Sequence, residues 1–187
     1  MSCNLTCENC SLLDISGLCN PSDVTNVISE NPYWIQMNIP EYLTIPEAKP
    51  DMEEINSITI SVDIFRKEVI EVPVSPVDVD GNFIPNLEGK ISTGRKLIIE
   101  GQLCQKVVYT ADLPSQPVHG AEFYVPFSAY IVVPPTFTDA NDEDIDSLNI
   151  DFQVNACIED VAVKMIDLRH ILKQVTLLLY AVPNLSV

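Results

Sequence analysis

An all-β chain, an antiparallel β-sandwich of jelly-roll or Greek-key style with an extended N-terminal arm, is predicted by three features. The apolar stretches are rich in Val, Ile, Thr, Tyr and Phe, side chains that fit a pleated, half-buried surface. From Tyr33 onward, period-2 segments alternate with Pro, Gly and Asp punctuation, the pattern of short strands in sandwiches. Proline occurs 14 times in 187 residues, above the roughly 5% of an average protein, and each one breaks a helix interior. The chain divides into a cysteine-rich arm, residues 1–32, and a β body, residues 33–187.

The arm carries four of the six cysteines and no cation, and shows no sustained period of 2 or 3.6. Leu12, Leu13, Ile15, Leu18, Val24, Val27 and Ile28 are too many apolar residues for a solvated linker, so the arm is expected to dock. In the body, Ile58, Ile60, Val62 and Ile64 line one face of a strand and Thr59, Ser61 and Asp63 the other. Asp80-Gly81, between Val77/Val79 and Phe83/Ile84, signals a hairpin turn. After Gly94, Leu97, Ile99, Leu103, Val107 and Tyr109 share one face, with Glu100, Gln102, Cys104 and Lys106 opposite. Gly101 in that pattern marks a bulge. Phe123, Val125 and Phe127 begin another strand, which Pro126 assigns to an edge or a bulge. In the last hairpin the apolar set shifts from Phe152, Val154, Ala156 and Ile158 to Val161, Val163 and Met165. A bulge near Asp160 accounts for the flip. A short helix is expected over residues 167–172. The run 175–182, apolar on both faces, reads as a central or covered strand.

Charge narrows the function classes. Lys+Arg number 10 against Asp+Glu 27, a net charge of −17, and the first basic residue is Lys49. Nucleic-acid binding needs clustered cations that release counterions, and an anionic bilayer repels such a chain, so neither nucleic acid nor membrane is an expected partner. No basic and apolar leader follows Met1. Synthesis without a signal peptide is therefore the expectation.

Cys3-x3-Cys7-x2-Cys10 has the spacing of a radical-enzyme iron–sulfur triplet, but the all-β context contradicts that motif. Adding Cys19 gives a four-thiol zinc reading, against which stands the lack of a repeated C-x2-C knuckle. Disulfide chemistry fits better. Cys3, Cys7, Cys10 and Cys19 on an arm, with Cys104 and Cys157 on the polar faces of their strands, are the candidates for intersubunit disulfides. The bland alternative makes Cys104 and Cys157 small buried hydrophobes. Residues 139–146 have the composition of a calcium loop but lack its Gly and Glu positions, which favours a solvated loop. His119 and His170 lie in separate segments, with no nucleophile–base spacing around them. Lys90, Arg95 and Lys96 concentrate charge beside a strand, as an anion or subunit contact or as a plain solvated turn. No active site and no cofactor are expected.

The body resembles the SPOCS domain of sporulation proteins in five ordered blocks: EYLTIPEAKPDMEEINSITISVDIFRKEVIEVPV (41–74), NLEGKISTGRKLIIEGQLCQKVVYTA (86–111), QPVHGAEFYVPFSAYIVVP (116–134), FQVNACIEDVAVKMI (152–166) and VTLLLYAV (175–182). The resemblance implies a spore-coat or spore-morphogenesis component. Family members often carry a LysM wall-binding module, which is not expected in this chain. The arm is architecturally similar to the cysteine-bearing N-terminal connectors of Ena endospore-appendage subunits, an analogy of design only. The expectation is a non-enzymatic structural protein, made in the mother-cell cytoplasm and deposited on the spore surface. Its main partner is a second copy of itself, with other spore-coat proteins as further partners. The alternative is a coat-assembly adaptor that binds a morphogenetic partner without polymerising.

Overall fold

The computed structural model describes residues 13–185; the side chains of Asn26 and Val27 are not described, and Cys3, Cys7 and Cys10 lie outside the described residues. The chain forms β1 (Asp14–Ser16), α1 (Pro21–Glu30), β2 (Trp34–Thr44), β3 (Met52–Val74), β4 (Thr93–Ala111), β5 (Val118–Val132), β6 (Thr136–Thr138), β7 (Asp144–Asp146), β8 (Phe152–Met165) and β9 (His170–Pro183). One sheet has the order β1-β3-β4-β5 and the other β2-β9-β8, with β6 and β7 as a small separate hairpin. All pairings are antiparallel except β1 on β3. This is the expected all-β sandwich. The chain crosses between sheets through α1, after β2 and again after β5; β3 lies beside β8 and β2 beside β5 along the two open seams.

Alternation dictates the core. Ile58, Ile60, Leu97, Ile99, Leu103, Val107 and Tyr109 are all buried, facing Ile39, Leu43, Val175, Leu177 and Leu179 from the other sheet. β9 is the middle strand of its sheet, which accounts for its two-sided apolar run. The register shift in β8 falls between Ile158 and Asp160, so Glu159 is the extra residue that moves Val161 and Val163 inward. Opposite Gly101, β3 shifts register at Phe65. A Cβ on Gly101 would lie 2.7 Å from the Asp63 carbonyl and 2.7 Å from the Phe127 ring, so the absent side chain permits the close approach. Pro126 sits on β5, an edge strand, and Pro40 on β2, another edge.

Two expectations are corrected. Residues 167–169 form a tight turn rather than a helix, because the Asp167 carboxylate accepts from the backbone N–H of Arg169 at 2.8 Å and of His170 at 2.9 Å and turns the chain directly into β9. Conversely, the arm contains a helix, α1, that its weak periodicity concealed. Its start is chemically explicit: Asn20 Oδ1 accepts from Ser22 N–H at 3.2 Å, Pro21 occupies the first turn and Asp23 faces the positive end of the dipole.

The same device closes four turns. Asp78, Asp139, Asp146 and Asp167 accept from the backbone N–H of Asn82 (2.9 Å), Glu143 (2.9 Å), Leu148 (2.9 Å) and Arg169 (2.8 Å). These bonds hold each carboxyl below its ordinary value of 3.8. A depressed folded-state pKa contributes stability that is present above the unfolded value and lost as pH falls through the folded one. The melting temperature is therefore expected to fall as the pH drops below 3.8; a melting temperature indifferent to acidity there would contradict the turn assignment.

Candidate functional site

The arm builds a site at the seam between β3 and β8. Ile15 pairs with Ile58 in a parallel register, and its side chain packs on the main core; Leu13 packs on the second cluster. Ser16 Oγ donates to Thr59 Oγ1 at 3.1 Å. The chain then presses against the body at Gly17, whose φ of +107° and whose approach to the Ile60 carbonyl exclude a Cβ, which would lie 1.9 Å from that oxygen. One turn later, Cys19 N–H donates to the Ile158 carbonyl on the free edge of β8 at 3.0 Å.

There two of the six expected intersubunit candidates meet within one chain. Cys19 and Cys157 form a disulfide with a Cα–Cα distance of 5.4 Å, inside the range such bonds require. They close a sequence separation of 138 residues. Cys157 lies on the outward face of its sheet, as alternation required, yet it is only 2% exposed, and its cross-strand partner Leu178 is fully buried. Cys19 brings the arm onto this face at Cys157, and the chain continues through α1 until Asn31 Nδ2 donates to the Ala181 carbonyl at 2.7 Å. The arm thus runs from an edge of one sheet, over an edge of the other, to the end of β9. A cleft remains beneath it, lined by Gly17, Ile60, Val62, Val154 and Ile158. β1 covers only Ser57–Thr59, so the edge of β3 from Ile60 onward carries no strand among the described residues.

Replacing Gly17 by Ala is expected to lift the arm, since both the backbone conformation and the space oppose a side chain, at about 1–3 kcal/mol for the conformation alone. Amide hydrogen exchange at Cys19 checks this. Faster exchange in the variant is expected, and unchanged protection would contradict the close approach.

Cys104 is a free, half-exposed thiol on the outer face of the first sheet, flanked across the strands by Ser61 and Tyr124. The three cations near β4 are each engaged. Arg95 meets Glu71 and Asp146 at 3.3 Å each, Lys90 meets Glu88 at 2.8 Å, and Lys96 lies 4.0 Å above the Tyr130 ring. His170 Nδ1 is held by Asp167 at 2.8 Å, while His119 stacks on Tyr109, so the two histidines serve different turns and faces. In the acidic loop, Asp139 accepts from the backbone of Asn141 and Glu143, and Asp146 caps the turn at Leu148.

A second constellation escaped the sequence reading. Glu41 on β2 and Lys173 on β9 are direct cross-strand neighbours, and both point into the sandwich with side chains 0% exposed. Lys173 Nζ lies 3.1 Å from Glu41 Oε2. From the facing sheet, Gln105 Nε2 donates to the same oxygen at 2.6 Å. Glu41 Oε1, Gln105 Oε1 and Lys173 Nζ have no further hydrogen-bond partner. Burial pushes the Lys173 ammonium below its ordinary value, against the opposing pull of Glu41. This polar layer separates the two apolar clusters of the core, with Ile39 and Val175 on one side and Leu43 and Ile171 on the other. The signal was present: residues 41, 105 and 173 each fall at inward parity in their strands.

No curated protein and no solved structure matches the chain. The family described as "SipL, SPOCS domain" matches residues 51–166, more than half the sequence. That segment spans β3 to β8; the sandwich is completed by β2 and β9 from outside it, with β9 as the middle strand of its sheet. With its five ordered blocks folded into these strands, the chain belongs to the SipL SPOCS-domain family and is a sporulation-related protein.

Proposed function

We propose that the protein is a non-enzymatic structural component of the endospore surface that self-assembles into a fibre or layer, its arm linking neighbouring subunits. The observation that carries this reading is the way the arm attaches: a strand added to the β3 edge, then a disulfide to β8. Strand addition uses the unpaired N–H and C=O groups of a sheet edge, and prolines blunt such edges. Pro40 and Pro126 stand on β2 and β5, whereas β3 between Ile60 and Val72 has none, so this edge, like the free edge of β8, is open to a neighbour's strand.

Cys19 is committed to Cys157 within the chain. The linking role therefore falls to Cys3, Cys7 and Cys10, with the half-buried Cys104 of a neighbour as acceptor. A contact between unlike surfaces that does not close on itself grows into a filament. Disulfides form in oxidising surroundings, so locking follows release of the protein onto the spore surface from the mother-cell cytoplasm. Other spore-coat proteins are further partners in this reading.

Substituting Cys3, Cys7 and Cys10 together by Ser tests the linkage. The variant is expected to fold and to retain the Cys19–Cys157 bond, while its assemblies dissolve in denaturant without reductant. Assemblies as resistant as those of the parent chain would overturn the linking role.

A further inference from the structure

Buried lysine, amide and carboxylate groups in contact form a reactive set as well as a polar layer. Gln105 Nε2 and Lys173 Nζ converge on one oxygen, Glu41 Oε2, at 2.6 and 3.1 Å, in a site where all three residues are less than 5% exposed. Water is excluded, and the reactants are held by facing sheets rather than by one flexible segment, which is how proximity replaces a bimolecular encounter. We propose that Lys173 and Gln105 condense into an intramolecular isopeptide bond, with Glu41 carrying the protons, so that the two sheets become covalently joined through their core.

The step balances within the three side chains. The Lys173 ammonium passes one proton to Glu41, and the freed amine pair attacks Cδ of Gln105 to form the new C–N bond. The Cδ–Nε2 bond then breaks, the second proton from Nζ reaches Nε2, and ammonia leaves. Glu41 ends neutral, and no oxidant, reductant or metal is consumed. Glu41 Oε2 already touches both the nitrogen that must lose protons and the nitrogen that must gain one, the placement that general acid–base catalysis requires. The depressed Lys173 pKa, caused by burial, favours the free amine. The driving force is equally local. The starting state holds two desolvated charges and two oxygens, Glu41 Oε1 and Gln105 Oε1, without hydrogen-bond partners, a costly arrangement, whereas the product holds a neutral amide and a neutral acid.

Mass spectrometry of the purified full chain, denatured and reduced, decides the matter. The expected mass is that of the sequence less one ammonia. Trypsin is expected to leave Lys173 uncut and to release residues 97–106 joined to residues 170–187. Glu41→Gln, which keeps the shape but cannot carry the proton, is expected to show its own full sequence mass. A wild-type chain at full sequence mass, with cleavage after Lys173, would overturn the proposal whatever the variant does. This outcome is independent of whether the protein assembles.

Discussion

Replacing Cys19 and Cys157 together by Ser is expected to lower the unfolding free energy by about 3–5 kcal/mol. The bond closes a separation of 138 residues, and a cross-link stabilises chiefly by restricting the unfolded chain, more so for longer loops. The native state loses little else, because Cys19 N–H keeps its bond to Ile158 and β1 keeps its register on β3. Urea unfolding of the double variant and of the oxidised parent measures the difference. A change below about 1 kcal/mol would mean that the arm contributes no long-range restraint. The variant carries a second consequence: an arm held only by three strand residues and α1 opens more often, exposing the β8 edge, so faster exchange of the Ile158-bound amide of residue 19 is expected alongside the loss of stability.

Relative to the chain before Lys173 and Gln105 condense, Lys173→Met is expected to cost a further class of energy, about 3–5 kcal/mol, because it leaves the Glu41 carboxylate buried without its cation. Introducing Glu41→Leu in the same chain removes the stranded charge, and the double variant is expected to be less destabilised than the single one. Thermal or urea denaturation of both variants distinguishes them. A double variant weaker than Lys173→Met alone would show that Glu41 is not left uncompensated, contradicting the direct pairing of the two side chains. In that uncondensed chain the Lys173 pKa also sets a pH response. Its folded value is lowered by burial from 10.5, so the unfolded chain holds more protons between the two values. This residue's contribution to stability rises with pH across that interval, and Lys173→Met is expected to lose that rise.

How much of this was legible depended on the physics of each element. The half-buried strands announced themselves through period 2, and the parity change between Ile158 and Val161 located the β8 bulge within a residue, because a one-residue slip reverses every side chain. α1 was missed because a ten-residue surface helix needs little apolar periodicity, yet Asn20-Pro21-Ser22-Asp23 is a start signal that composition alone obscured. The helix expected after Asp167 failed for the opposite reason: an aspartate that accepts two successive backbone N–H groups serves a tight turn as well as a helix start. β1, three residues long, is too short to show a period. The Cys19–Cys157 pairing was beyond any spacing rule, since connectivity among six cysteines is set by the folded path of the arm. The Glu41, Gln105 and Lys173 layer was readable as three polar residues at inward parity. Their convergence was not, because it requires the registers of two sheets at once.

The arm's role between subunits is tested most directly by negative-stain electron microscopy of the purified full-length chain, paired with a non-reducing denaturing gel run before and after reductant. Ordered fibres or layers, whose subunits enter the gel only after reduction, are the expected result. Dispersed monomers that enter the gel equally in both lanes would contradict self-assembly and favour an adaptor that uses its arm to hold a different partner.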